Sequence, residues 1–312
     1  MSPEKKHISI CICTFKRPRL LSGLLRDLES QATEDFFDYS IVVLDNDMTA
    51  SARAAVETEA HRLRIEIGYF VEPEQNIAKA RNKAVANSRG DFVAFIDDDE
   101  LPDSRWLLKM FQALNFFETD GVLGPVLPRF LSSPPPWVKR GKFFERPAHY
   151  SGYFLFPEFT RTGNCLLRRS IFKNNEDWFR PQFGSGGEDR DFFGRLIARG
   201  CVFVWCNEAP VYEAIHSERW NKWNLLKRAL LRGKMTYFSR KTNLKDILRS
   251  CFAIIFYSMG LPLLLLLSPA IGFDIFMKYL ISDFDHIGKI NALFNINLLK
   301  TRYVMSPDEP GP

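Results

Sequence analysis

The sequence predicts an α/β protein built on a doubly wound, largely parallel sheet over residues 1–219, followed by a basic and apolar helical region over 220–312. Three observations predict it. Short runs rich in Ile, Val and Phe alternate with segments of helical spacing, the signature of strand–helix–strand units. Those runs end in polar residues, at TFKRP, LDND and DDDE, where ligands bind in such sheets. A charge-free stretch, 250–273, follows a run of Lys and Arg.

Taken in order, the strands are HISICICTF (7–15), YSIVVLDN (39–46), RIEIGYFV (64–71) and GDFVAFIDD (90–98). Between them, PRLLSGLLRDLESQ (18–31) places Leu20, Leu21, Leu24, Leu25 and Leu28 on one helical face behind a first-turn proline. The segment NIAKARNKAVANS (76–88) sets Ala80, Ala84 and Val85 against a basic face that carries Arg81. Residues 128–160, rich in proline and aromatics without a period, read as long loops. Order returns in RTGNCLLRRSIF (161–172), in the glycine-rich turn and acidic helix start FGSGGEDRDFFGRLIARG (183–200), and in the strand CVFVWCN (201–207).

The composition is that of a globular protein, with 46% hydrophobic and 25% charged residues in 312. A net charge of +5 is no argument for nucleic acid as a partner. The six cysteines include no CxxC, and Cys11 and Cys13 alternate within a strand as small apolar residues do. No apolar run of signal length precedes the first strand, and no N-x-S/T acceptor occurs, so a reducing, cytoplasmic setting is expected.

From Trp220 onward, Lys222, Lys227, Arg228, Arg232, Lys234, Arg240, Lys241, Lys245 and Arg249 precede the apolar stretch, and Lys278, Lys289, Lys300 and Arg302 follow it. The stretch is long enough for a bilayer of ~30 Å. Gly260, Pro262 and Pro269 interrupt it, and basic residues flank both sides, so a re-entrant hairpin or an interfacial helix is expected rather than a single crossing. A buried helical hairpin is the soluble alternative.

The segment FIDDDELP (95–102) carries the chemistry. Adjacent like charges repel by roughly 1 kcal/mol or more, so something positive is needed beside them. The spacing excludes an EF-hand, because its fifth and sixth positions would be Leu101 and Pro102. GSGGED lacks the third glycine of a dinucleotide fingerprint, and no P-loop is present. If strand geometry continues, Asp97 and Asp99 share a side and Asp98 lies opposite. Two hard oxygen ligands suit Mg²⁺ or Mn²⁺ shared with a diphosphate. The plainer alternative is that the aspartates cap a helix starting near Ser104.

Together, ISICICTFKRPRLL, IVVLDND, NIAKARNKAVANSRGDFVAFIDDDELP, RTGNCLLRRSIF and GGEDRDFFGRL resemble the family 2 glycosyltransferases of GT-A fold, a Rossmann-like, doubly wound mixed sheet. The resemblance covers about residues 7–215 and is nearest to bacterial succinoglycan-type exopolysaccharide glucosyltransferases. It implies inverting transfer of a sugar from a nucleotide diphosphate, UDP above all, to a lipid-linked saccharide, on the cytoplasmic face of the bacterial inner membrane. Thr14, Arg17, Asp45, Asp47, Arg81, Asp97 and Asp98 would bind the nucleotide-sugar, and Asp99 with Asp97 would hold Mn²⁺ or Mg²⁺. Asp189 would be the general base, with Glu188 beside it. Where relatives carry a metal-ligating histidine this chain has Tyr212, and His216 is the nearest candidate. A two-metal nucleotidyltransferase and a non-catalytic nucleotide-sugar binder are the rival readings.

Overall fold

A computed structural model describes residues 5–173, 178–184, 186–239 and 243–294. Arg240, Lys241, Lys300 and Arg302, and Ser185 of the glycine-rich turn, lie outside the described residues. The described residues form two compact units, one up to 127 together with 146–214, the other of 128–145 and from 215 onward.

The first unit begins with β1 (Lys6–Thr14), α1 (Pro18–Glu29), β2 (Phe37–Asp45), α2 (Arg53–Arg62), β3 (Ile67–Val71), α3 (Ile77–Ala86) and β4 (Phe92–Ile96). After β5 (Glu100–Pro102), α4 (Trp106–Phe116) and β6 (Gly121–Leu123), β7 (Val126–Phe130) runs into the second unit. The first unit resumes with β8 (Asn164–Arg168), α6 (Glu188–Ala198), β9 (Phe203–Trp205) and β10 (Val211–Ile215). The main sheet has the order β3-β2-β1-β4-β8-β6-β9. Two parallel blocks, β3-β2-β1-β4 and β6-β9, are joined through β8, antiparallel to both β4 and β6.

The strand period of two divides the core into two layers. Ile8, Ile10 and Ile12 pack on one face with Leu21, Leu24, Leu25 and Leu28 of α1 and Trp106 of α4. Cys11, Val42 and Leu44 pack on the other with Ala80, Ala84 and Val85 of α3 and Phe192 and Phe193 of α6. Cys11 thus serves as the apolar residue its position implied, and all six cysteines are free.

The second unit gathers α5 (Pro136–Gly141), α7 (Lys222–Ser239), α8 (Leu244–Ile271) and α9 (Phe273–Leu293). Two sequence expectations are corrected here. The stretch 128–160 is not loop alone, since it holds the end of β7 and α5, whose Val138 packs with Trp220, Leu225 and Met277. Nor do Gly260, Pro262 and Pro269 interrupt the apolar stretch, which is one helix, α8, with both prolines inside it. Each proline removes one hydrogen bond, and the surrounding good helix formers carry the helix past it. The break comes at Gly272, whose φ of 105° suits glycine. Only 6% of the most apolar window of α8 is buried, which removes the fully buried hairpin as an account of it.

Candidate active site

Four carboxylates meet where β4 ends. The strand stops at Ile96, so Asp97–Asp99 form a turn and the alternation expected of a strand is lost. As a result, Asp98 is not set opposite Asp99 as a strand would set it, since the two share one guanidinium, while Asp97 faces Arg81 and still feels the charge of Asp99. One guanidinium nitrogen of Arg17, just past β1, donates to Asp98 Oδ1 and Asp99 Oδ2, both at 3.1 Å. Thr14 Oγ1 donates to Asp98 Oδ2 at 2.7 Å. Asp98 is buried, and desolvation pushes its pKa up to about 7 despite Arg17. The capping alternative also falls: α4 starts only at Trp106, and its N-cap, Arg105, receives no side-chain cap.

Glu100 completes the group. It is 1% exposed and accepts from the Asp97 backbone N–H at 3.0 Å. Burial, and then the charge of Asp97, raise its pKa well above the ordinary carboxylate range. Gly163, just before β8, lets these carboxylates in, because a Cβ there would stand 2.8 Å from Glu100 Oε1 and 3.0 Å from Asp97 Oδ2. Glu213 on β10 accepts from Arg146 at 2.8 Å and raises the pKa of Asp97, after burial and Asp99.

Arg81 on α3 joins this group to the acidic helix start. It lies 3.6 Å from Asp97 Oδ1 and donates from Nη1 to Glu188 Oε1 at the first position of α6. Glu188 is buried, and its second oxygen, Oε2, has no hydrogen-bond partner among the described residues. Asp189, next along, is half-buried and takes its own helix's Arg190 N–H at 2.7 Å; it makes no ion pair with a described residue, although the charge of Arg161 acts on it. The loop before α6 is fastened to the start of α3. Asn76 caps α3 through Ala78 and Lys79, and its amide donates to Pro181 O at 2.9 Å. Gly184 lies against Asn76 so closely that a Cβ would collide with it, and its carbonyl accepts from Ile77 N–H at 3.2 Å.

At the end of β2, Asp45 and Asp47 shape the following turn. Asp45 accepts from Asp47 N at 3.1 Å, Ala52 N at 2.8 Å and Tyr69 Oη at 2.8 Å. Asp47 accepts from Thr49 N and Thr49 Oγ1. Thr14, Arg17, Asp98 and Asp99 are therefore linked directly, and Arg81 links Asp97 to Glu188. Asp45 and Asp47 stand at the neighbouring strand end. His216, exposed, belongs to the second unit and begins the turn Ser217–Trp220. Among the described residues no three His, Cys, Asp or Glu side chains form a ready metal cage. The donor set fits a hard divalent cation that takes one or two carboxylates and completes its shell with phosphate and water. The surplus of Asp97, Asp98, Asp99, Glu100 and Glu213 over Arg17, Arg81 and Arg146 points that way.

Sequence reasoning missed Glu100, Gly163, Asn76, Arg146 and Glu213. Glu100 was legible as an acid behind three others; the rest become neighbours only through the fold.

The fold and this cleft define a glycosyltransferase. The chain belongs to glycosyl transferase family 2, whose model matches residues 9–175. It is 35% identical over 239 residues to the succinoglycan biosynthesis protein ExoM of Rhizobium meliloti, across 75% of each chain. It is 25% identical to an uncharacterized glycosyltransferase of Methanocaldococcus jannaschii, covering 85% of this chain and 91% of that one. Among solved structures it is similar to S. aureus TarS 1-349 in complex with UDP, with a TM-score of 0.51, 14% identity and 98% of both chains covered. That likeness bears out the GT-A fold. Family membership leaves the nucleotidyltransferase reading without support.

Proposed function

We propose that the protein transfers a sugar, with inversion, from a nucleoside-diphosphate donor such as a UDP-sugar to a lipid-linked saccharide in surface polysaccharide synthesis. The observation that carries it is the Arg81 bridge, which joins Asp97 at the strand end to Glu188 at the α6 start and leaves the neighbouring Asp189 outside that buried ion pair. A group engaged as Glu188 is cannot readily take a proton, whereas Asp189 can. Asp189 accepts the proton of the attacking acceptor hydroxyl, and the glycosyl bond to the diphosphate breaks on the opposite face of the sugar. Thr14, Arg17, Asp45, Asp47, Arg81, Asp97 and Asp98 line the donor pocket. Asp99 with Asp97 would hold Mn²⁺ or Mg²⁺, which stabilises the departing diphosphate when bound. His216 plays no part in this scheme.

Relatedness to a succinoglycan biosynthesis protein supports the polysaccharide role, and the exposed α8 supports a membrane-borne acceptor, which we place at the cytoplasmic face. The test is a thermal-shift screen of nucleotide-sugars with and without Mn²⁺, because a ligand that binds the native state stabilises it by mass action. Release of UDP on adding lipid-linked acceptor then measures transfer. A UDP-sugar that raises Tm only with Mn²⁺ and is consumed with acceptor supports the proposal. If no nucleotide-sugar stabilises or turns over, it fails.

A further inference from the structure

The second unit contains a cavity of about 420 Å³ that the transfer reaction does not use. It lies among α7, α8 and α9, and its lining includes Asp246, Arg249, Ser250, Tyr257, His286 and Lys289. Arg249 and Lys289 make no ion pair with a described residue, whereas on α9 Asp285 is paired with Arg232 and Asp283, about a turn from His286, accepts from Ser258 Oγ at 3.4 Å. Asp246, the single carboxylate of the lining, is turned back on the Asn243 backbone N–H in a capping box. Ser250, only 3% exposed, holds the His286 ring, Oγ to Nδ1 at 3.1 Å. Burial, followed by the charge of Lys289, keeps that ring below its ordinary pKa against the opposing charge of Asp285.

An apolar row starts at the same place. Arg249, Phe252 and Phe256 stand at i, i+3 and i+7 along α8, so they share one face of the helix. The row continues through Met259, Leu263 and Leu266. From Phe252 onward every member is exposed, Met259 by 77% and Leu266 by 76%. A cationic recess at the head of an exposed apolar row matches an amphiphile with an anionic head and a hydrocarbon chain. A phosphate offers several strong acceptor oxygens to Arg, Lys, Ser and Tyr donors.

We propose that this cavity binds the phosphate head of a lipid whose chain lies along the Phe252–Leu266 row of α8. Two sources share that chemistry, a membrane phospholipid and the diphosphate of a polyprenyl-linked acceptor. The inference rests on the reading of α8 as membrane-facing, and one experiment separates the two.

Full-length protein is floated with vesicles of phosphatidylcholine alone, of phosphatidylcholine with phosphatidylglycerol, and of phosphatidylcholine with a small fraction of polyprenyl diphosphate. Binding should be strengthened about tenfold or more by one or both anionic lipids, on the scale of ~1 kcal/mol per basic residue at the surface. Arg249→Ala with Lys289→Ala should abolish that gain. Lys227→Ala with Lys278→Ala removes equal charge elsewhere and should retain most of it. Ala253→Trp, which fills the cavity without changing charge, should act like the first pair; circular dichroism confirms that each variant is folded. A gain confined to polyprenyl diphosphate identifies the acceptor as the source, and one confined to phosphatidylglycerol identifies bulk lipid. Equal binding to all vesicles, or equal losses in the two double variants, overturns the cavity and leaves α8 at the membrane. No flotation with any vesicle overturns both.

Discussion

Arg81 and Glu188 meet across 107 residues of sequence, each with less than a tenth of its side chain exposed. Two adjacent acids at the head of α6 are thereby given different surroundings: Glu188 is committed to a buried ion pair and Asp189 is not.

That difference predicts different failures. Asp189→Asn should lower transfer by ~10²–10⁴-fold, as loss of a positioned base does, with donor affinity and Tm nearly unchanged. Glu188→Gln should instead cost about 3 kcal/mol of stability, because it leaves the Arg81 charge short of its buried partner. Single-turnover transfer, donor titration and urea unfolding of both variants distinguish the roles. Near wild-type transfer by Asp189→Asn would place the base elsewhere.

The carboxylate turn predicts a pH dependence. The folded pKa values of Asp97, Asp98 and Glu100 all lie above their unfolded values, chiefly through burial. Their contribution to stability is therefore fully present below the ordinary carboxylate range and is lost as pH rises through the raised values, near 7 for Asp98. Without ligand, stability should fall between pH 4 and 7 by on the order of a few kcal/mol more in wild type than in Asp98→Asn. Mn²⁺ with UDP should restore more stability at pH 7.5 than at pH 5. Parallel Tm-versus-pH curves for the two proteins would refute this.

Gly163 predicts a purely steric effect. Gly163→Ala places a methyl group 2.8 Å from Glu100 Oε1 and 3.0 Å from Asp97 Oδ2, so both carboxylates must shift. A displacement of about 1 Å at reacting groups costs up to ~10²-fold in rate, while overpacking at the end of flexible side chains should cost only about 1 kcal/mol. Steady-state transfer and Tm measured together check it; an unchanged rate would show that Asp97 and Glu100 are not held by this contact.

Much of the framework was legible from residues alone. The leucine face of α1 and the period-two alternation of β1 are enforced locally, so their pattern is written in neighbouring letters. The aspartates were visible as a charge anomaly, and their strand-end position followed from the run FVAFI before them. What the letters could not supply was which aspartate turns where. Once β4 stops at Ile96, the answer depends on Arg17 and Arg81, which come from other elements. Gly163 and Asn76 were illegible for the same reason, since a glycine matters there only because of what the fold brings against it. The prolines of α8 misled because a local penalty was weighed without the helix formers on both sides.

The exposed row of α8 predicts a membrane phenotype independent of the phosphate cavity. Phe256→Asp with Met259→Asp should leave UDP binding unchanged, reduce vesicle flotation and lower transfer to lipid-linked acceptor more than to a water-soluble analogue. Equal transfer to both acceptors would separate α8 from acceptor delivery.

The fastening of the 181–184 loop to Asn76 has a consequence for synthesis on the ribosome. The end of β2, the start of α3 and the turn after β4 emerge early, yet the acid that pairs Arg81 emerges only at residue 188, and Glu213 later still. Until then the nascent chain carries half a cleft with unbalanced charge. Sugar transfer therefore becomes available only after almost the whole first unit has been translated, so a truncated product of a broken message should hold its early strands and have no means of consuming donor.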